Sequence, residues 1–465
     1  MRASRITLAL LLTSFFGLAC LYVPRLTNCL WSDVEFTGWV SPIAHRMLAG
    51  ERLYQDMTLP ISPGSFLLLA WIQKLSGRFL LLDELWVCAV ANLGMIALGY
   101  AMVRAFTHGR NAVIAAALTA PALILTPKEI AYDQTAQVVA WASVALLAHA
   151  LVAPSDRKRL WLLRAAGAVA AFTIAFKSST GMGAVAGLCL ALGLQTAVAW
   201  RRSRKDGVRS MLASWAASFT GIAVGLAATA LVVLAVGGAI GEFVRVVFVD
   251  GPALKGGSPR MILNLLSYTI FQTPVHLSLV MAVIVAWMLA RLVGRADALL
   301  VDLDTPASDP DDLGRPGLRH VLGAGGVIVA IAGTAALLLA VGAREIPNIL
   351  RVVAGVAAVP PVLGLLFLAV LLVANAAASS DGRDRRSAFA AVAIAAGFVS
   401  LMHNLSHPTH RPFYDNNALI PMAFLALVLL LDRGDCRNLK ALLFAVGMLG
   451  MFTDKFQRFL DARKM

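Results

Sequence analysis

The sequence predicts an all-α, polytopic membrane protein with about thirteen transmembrane helices and amphipathic juxtamembrane helices in its first outer loop. Three observations carry that prediction. Of the 465 residues, 59% are hydrophobic and only 14% charged, too little polar surface to clothe a soluble core. The apolar residues come in runs of roughly 15 to 25, long enough to cross about 30 Å of hydrocarbon. Lys and Arg gather in short clusters between those runs, which is how cytoplasmic loops are marked.

The expected spans lie at 6–23, 83–103, 111–127, 132–153, 160–176, 179–199, 212–236, 275–293, 320–342, 352–377, 388–404, 416–432 and 440–453, separated by charged or Pro/Gly-rich breaks. The first follows Arg2 and Arg5 in the manner of a secretory leader, but its 18-residue apolar run and lack of a small-x-small cleavage site predict a retained helix. Residues 65–75 are too short to span. Counting them as a span would also turn the Arg157–Lys158–Arg159 and Arg201–Arg209 clusters outward, so they are expected to lie on or dip into the membrane surface. With the N-terminus inside, those clusters and Arg104/Arg110, Arg291–Arg319, Arg383–Arg386 and Arg433–Lys440 all face the cytoplasm. The net charge of +14 then reports topology, and no nucleic-acid partner is expected.

The chain is expected to form one membrane domain, 1–465. Its long outer connections are 24–82, 237–274 and 403–415, and its longest inner loop, 297–315, is a solvated Asp/Pro/Gly linker. The five cysteines are scattered, with neither a C-x-x-C metal pattern nor a disulfide framework.

The residues able to do chemistry concentrate on the outer side. In Trp31-Ser-Asp-Val-Glu-Phe36, Asp33 and Glu35 directly follow the first span. Two carboxylates at that spacing can chelate a divalent cation such as Mg or Mn, or divide into a general base and its positioning partner. They can equally be solvated loop acids. Gly38–Leu48 carries Trp39, Ile43 and Met47 at helical spacing, the pattern of an interfacial helix. Next come Gly50-Glu-Arg-Leu-Tyr-Gln-Asp56 and the step through Pro60 and Pro63.

Further on, Asp133 heads a helix, where an acid is also favoured by the helix dipole. Lys177 sits in the very short turn Phe176-Lys-Ser-Ser-Thr-Gly181 between two spans. A cation at that depth either pairs with an anion, with Ser178, Ser179 and Thr180 as added donors, or snorkels to the interface. The last outer connection, His403-Asn-Leu-Ser-His-Pro-Thr-His-Arg-Pro-Phe-Tyr-Asp415, offers Arg411, Tyr414 and Asp415. Its histidines are expected as polar loop or phosphate-contacting groups, since Pro408 breaks the helix that would align them for a metal.

The acidic pair after the first helix, the GE-x-x-Y-x-D run and the proline step into a short apolar helix resemble the first periplasmic loop of GT-C-type membrane glycosyltransferases. That superfamily includes the protein mannosyltransferase and aminoarabinose transferase relatives. Lys177 with its downstream glycines and the Arg–Tyr stretch before Pro421 are similar to later motifs of the same proteins. The resemblance implies transfer of a sugar from a polyprenyl-phosphate donor to a lipid, glycan or protein acceptor at the periplasmic face of a bacterial inner membrane. It implies Asp33 and Glu35 as catalytic acids, Lys177 and Arg411 on the donor phosphate, and Asp56, Asp133, Tyr414 and Asp415 on substrate. The alternative is a transporter or flippase for a lipid-linked or small anionic substrate. That activity needs polar mid-helix positions, and apart from His149 and Gln195 the helix interiors are almost uniformly Ala, Leu, Val and Gly.

Overall fold

The computed structural model describes residues 40–77, 82–107, 131–202, 206–254, 257, 385–405, 418–422 and 425, with isolated positions between 112 and 119. Among these, two short helices, α1 (Val40–Leu48) and α2 (Gly64–Ser76), precede a bundle. The bundle consists of α3 (Leu82–Arg104), α4 (Ala131–Leu151), α5 (Asp156–Phe172), α6 (Ser178–Arg202), α7 (Asp206–Ala235) and α10 (Arg385–Leu405). Between α7 and α10 the chain forms α8 (Ile240–Val244), one π-helical turn (Arg245–Asp250) and α9 (Gly251–Leu254). The spans expected at 6–23, 275–293, 320–342, 352–377 and 440–453 lie outside the described residues, as do nearly all of 111–127 and most of 416–432.

Among the described residues, four helices are long and apolar enough to cross a membrane: Trp86–Arg104, Ala131–Leu151, Ser178–Trp200 and Arg209–Ala235. Each falls where the sequence predicts a span. α5 starts four residues before the expected boundary because Ser155 caps it, accepting from the Lys158 backbone N–H at 3.4 Å. It ends at Phe172, where the 3-10 turn Thr173–Ala175 takes over. α5 and the 17-residue apolar core of α10, Ser387–His403, occupy expected spans but fall short of the length or apolarity of the other four. The helix expected at 65–75 is α2, 13 residues long.

The spanning helices are apolar on both faces, as lipid permits and water does not. Trp141, Met95, Met102 and Phe106 are fully buried, whereas Val90, Leu212, Phe219, Val224 and Leu231 lie exposed on the outside. Association in lipid therefore depends on close backbone contact through small residues. Gly221 and Gly225 of α7 lie one turn apart against α5. A Cβ on Gly221 would stand 2.0 Å from the Arg164 carbonyl oxygen, and one on Gly225 would stand 2.2 Å from that of Ala168. Gly183 and Gly187 of α6 meet α10 in the same way, at Met402 and Ala395.

The connections α4–α5, α5–α6 and α6–α7 are only a few residues long, so these helices alternate in direction. Glu84 at the head of α3 accepts the Ala131 N–H at the head of α4, at 3.2 Å, so these two run parallel. One end of the bundle thus collects the heads of α3, α4 and α6 with the tails of α5, α7 and α10. Arg104, Arg157, Lys158, Arg159 and Arg209 belong to the other end. Exposed Trp161 and Trp200 ring that basic end, and exposed Trp71 and Trp86 ring the opposite one, as interfacial tryptophans do. From Ser178 to Trp200, α6 runs about 34 Å at 1.5 Å per residue, which matches the hydrocarbon layer.

Over the end away from the basic clusters lies a roof of α1, the 49–63 loop, α2 and residues 237–254. α1 turns Val40, Ile43 and Ala44 inward. Leu53, Tyr54 and Met57 are buried with Phe66, Leu69, Phe243 and Val246 in a second apolar core. Tyr54 donates to the Ile61 carbonyl at 2.5 Å and meets the Phe243 ring edge-on at 5.5 Å. Tyr54 holds a φ of 69°, in the left-handed region.

A branched side chain at Gly221 or Gly225 should separate α5 from α7. Gly221→Val is expected to abolish a monodisperse peak in size-exclusion chromatography. Gly193→Ala, where a Cβ meets nothing within 4 Å, should leave the melting temperature unchanged or raise it, a glycine inside a helix costing about 1 kcal/mol. Equal behaviour of the two variants would show that the packing surface is misplaced.

Candidate functional site

Under the roof, α4 begins with seven consecutive buried residues, Ala131, Tyr132, Asp133, Gln134, Thr135, Ala136 and Gln137. Three contacts place this helix head. Glu84 accepts the Ala131 N–H, the Thr135 hydroxyl shares a 2.7 Å hydrogen bond with Ser65 of α2, and Thr135 also donates to the Ala131 carbonyl at 2.6 Å. α2 itself starts against the 3-10 turn before Lys177. A Cβ on Gly64 would lie 2.8 Å from the Ala175 carbonyl oxygen, a position only glycine can take.

Lys177 leaves that turn and points into the protein. Its ammonium lies 2.6 Å from Asp133 Oδ1, with the lysine side chain 7% and the aspartate 1% exposed. The nitrogen is also 5.4 Å from the centre of the Tyr132 ring, a cation–π contact. Lys177 therefore does not snorkel, and among the described residues it pairs with Asp133. A fully desolvated pair of this kind depends on both members, since either charge alone in low dielectric is severely penalised. Asp133 gains from its place in the first turn of α4, whose N-terminal dipole end favours an anion.

The pair is extended from α10. The sequence places His403 where the expected span 388–404 overlaps the outer connection 403–415, and reads its side chain as a polar loop or phosphate-contacting group. The residue lies in the last turn of α10 and is fully buried, because the helix runs on to Leu405. His403 Nδ1 stands 2.7 Å from the Thr180 hydroxyl of α6, and Nε2 stands 3.9 Å from Asp133 Oδ1. Five residues from three helices and one turn thus make a continuous buried polar cluster: Thr180, His403, Asp133, Lys177 and Tyr132.

The other expected site residues divide into two groups. Asp33, Glu35, Arg411, Tyr414 and Asp415 lie outside the described residues. Asp56 is described, exposed, and engaged in its own loop, where it accepts the Arg52 backbone N–H at 2.8 Å and the Arg52 Nε at 3.2 Å. Those two donors hold its carboxyl below the usual carboxylate range. Glu51 is held low in the same way by Arg46. Among the described residues, no three His, Cys, Asp or Glu side chains are grouped to hold a metal ion.

Sequence reasoning passed over several buried polar side chains. Glu84, Asn92, Gln134, Gln137 and Ser143 are all buried, so the interiors of α3 and α4 are less uniform than expected. Gln137 is one helical turn below Asp133, 1% exposed, and its amide has no hydrogen-bond partner among the described residues. The signal was present: three amide or carboxyl side chains follow one another at 133, 134 and 137 in an otherwise apolar helix.

No protein-family model matches this chain, and no curated protein matches it. One solved structure similar to it is the crystal structure of ArnT from Cupriavidus metallidurans bound to undecaprenyl phosphate. The two are 17% identical, the overlay covers 87% of this chain and 77% of that one, and the TM-score is 0.42.

Single substitutions that strand one charge of the pair should be worse than removing both. Lys177→Met and Asp133→Asn are each expected to cost about 3–5 kcal/mol, and the double variant clearly less than their sum, as read from thermal unfolding in detergent. Strict additivity would mean that the pair does not form. In the roof, Asp56 and Glu51 have lowered proton affinity in the folded state, so the stability their ion pairs contribute is fully present above the ordinary carboxylate range and is lost as pH falls through the lowered folded-state values. Proteolytic nicking of the 49–63 loop should stay constant down to about pH 5 and rise below about pH 4.

Proposed function

We propose that the protein is a membrane glycosyltransferase that moves a sugar from a polyprenyl-phosphate donor to an acceptor at the periplasmic face of a bacterial inner membrane. The observation that carries this reading is the buried Lys177–Asp133 pair, with His403, Thr180 and Tyr132, at the roofed end of the bundle. A cation held at the edge of the hydrocarbon, among hydroxyl and imidazole groups, suits a ligand that is apolar at one end and anionic at the other. The order of the outer motifs in the sequence supports the same class.

In the proposed reaction the acceptor hydroxyl oxygen bonds to the anomeric carbon while the bond from that carbon to the phosphate oxygen breaks. The hydroxyl proton passes to Asp33 or Glu35. The leaving polyprenyl phosphate gains one negative charge, which Lys177 and Arg411 stabilise. Asp133 holds the Lys177 ammonium in place, and Asp56, Tyr414 and Asp415 are proposed to orient sugar and acceptor. Asp33 and Glu35 are also the pair proposed for Mg or Mn, and nothing in this scheme requires the metal.

A second reading is favoured by one observation. Buried Gln134, Gln137, Ser143 and Asn92 continue the polar character of the cluster toward the middle of the bundle. Polar side chains in that position serve ion- or proton-coupled transport of an anionic or lipid-linked substrate.

Proteoliposomes loaded with radiolabelled polyprenyl-phosphate sugars separate the two. Wild type should release and transfer the sugar from one donor. Lys177→Ala should lower the rate by on the order of a hundredfold, as for loss of one charge-stabilising group, and Asp33→Asn should abolish transfer at unchanged protein level. Movement of intact donor between leaflets, with no sugar released, would replace the transferase by the transporter.

A further inference from the structure

α5 carries more charge than the helices around it, and one of its cations is costly where it stands. The helix begins Asp156-Arg-Lys-Arg159 and then brings a further arginine, Arg164, into the apolar run expected to cross the membrane. Gly221 seats α7 against the Arg164 backbone, and the arginine side chain is left exposed on the outside of the bundle. A guanidinium cannot escape its charge by giving up its proton, so at such a position it needs an anion or a route to the interface.

Three observations put an anion beside it. First, Trp161, 61% exposed, marks the interface at the basic end, and Arg164 follows three residues later, about 4.5 Å deeper at 1.5 Å per residue. Side chains on a helix lean toward its N-terminus, and the Arg164 guanidinium accordingly lies over the Trp161 ring, 5.2 Å from its centre. The arginine thus snorkels to headgroup level, where the ring holds it without neutralising it. Second, the protein offers Arg164 no carboxylate among the described residues. Asp156, the only acid in α5, pairs instead with Arg159 at 3.4 Å, and Arg159 also donates to the Ser210 hydroxyl of α7 at 2.7 Å. Third, Arg157, Trp161 and Arg164 follow one another at i, i+4 and i+7, so they share one face of α5, and all three are exposed. The patch is cationic at both ends and apolar at its centre.

We propose that Arg157, Trp161 and Arg164 form a binding site for an anionic phospholipid in the leaflet at the basic end. The Arg164 fork matches a phosphate in two parallel hydrogen bonds. Trp161 packs against the glycerol and the first acyl carbons, and Arg157 faces the outer part of the headgroup. A zwitterionic lipid presents the same phosphate but carries its own cation, which a second arginine repels, so the pair of arginines selects lipids of net negative charge. The site lies at the opposite end of the bundle from the Lys177–Asp133 cluster and is independent of what that cluster binds.

The test titrates full-length protein, stripped of lipid in detergent, with phosphatidylglycerol or with phosphatidylcholine of the same acyl chains. Native mass spectrometry reads the affinity for the first lipid bound. Wild type should hold phosphatidylglycerol about tenfold more tightly or better, as two surface cations worth about fivefold each allow. Arg164→Gln should lower that preference by about fivefold. Arg209→Gln, which removes an exposed cation at the same end but on α7, should leave the preference unchanged. Arg164→Lys keeps the charge without the fork and should lose part of the preference, so the comparison stands even if the glutamine variant does not fold. Equal affinity of wild type for the two lipids overturns the proposal. Equal losses in the Arg164 and Arg209 variants overturn it as well, since they would show a diffuse basic belt in place of a site on α5.

Discussion

Close contact between helix backbones, made where side chains are absent, is the constraint from which the arrangement follows. In lipid the helices gain nothing from hiding apolar surface, so they associate where packing is tight. Gly221 and Gly225 let α7 lie directly on α5, and Gly183 and Gly187 do the same for α6 against α10. The second contact has a chemical consequence. With α10 drawn onto α6 at Ala395 and Met402, the next residue, His403, arrives within hydrogen-bond distance of Thr180. Gly64 plays the corresponding part for the roof, seating α2 on the turn that carries Lys177.

The polar cluster is then an outcome of where helix ends meet. Asp133 is in the first turn of its helix, at the dipole end that suits its charge, and His403 is in the last turn of its own. Lys177 lies just ahead of α6, at a helix end that does not favour a cation, and Asp133 compensates. Such a group is costly to bury and stable only as a set. That cost is more easily understood at a binding or catalytic centre than in a scaffold. The exposed pairs of the roof, Arg46 with Glu51, Arg52 with Asp56 and Arg245 with Glu242, differ in kind. They are screened by solvent and organise local turns.

The roof explains why the segment around residues 49–63 is folded at all. Tyr54, Phe243, Leu53 and Val236 form an apolar layer between the loop after α1 and the end of α7. A hydrogen bond from the Leu53 N–H to the Val236 carbonyl, at 3.3 Å, stitches the two segments together. The first outer loop and the segment after α7 therefore act as one cover over the cluster. The sequence marks both as long outer connections, and the contact between them is a tertiary fact.

Much of the architecture was legible from residue order. Length and apolarity of the runs placed α3, α4, α6 and α7 within a few residues, because a bilayer imposes a minimum span that composition must meet. The brevity of 65–75 and the clustering of arginines marked α2 as non-spanning, because a wrong parity would have put basic loops on the wrong side. Lys177 and Asp133 stood out singly, since charge next to an apolar run is rare enough to notice. Their pairing did not, because they are 44 positions apart with the whole of α5 between them. His403 fell at the overlap of an expected span and an outer connection, and nothing local to it shows that its side chain is buried against another helix. Its neighbour Thr180 is 223 positions away. Which charges meet depends on which helix faces touch, and in a membrane those faces are chosen by small-residue packing over the whole bundle, which no local pattern encodes.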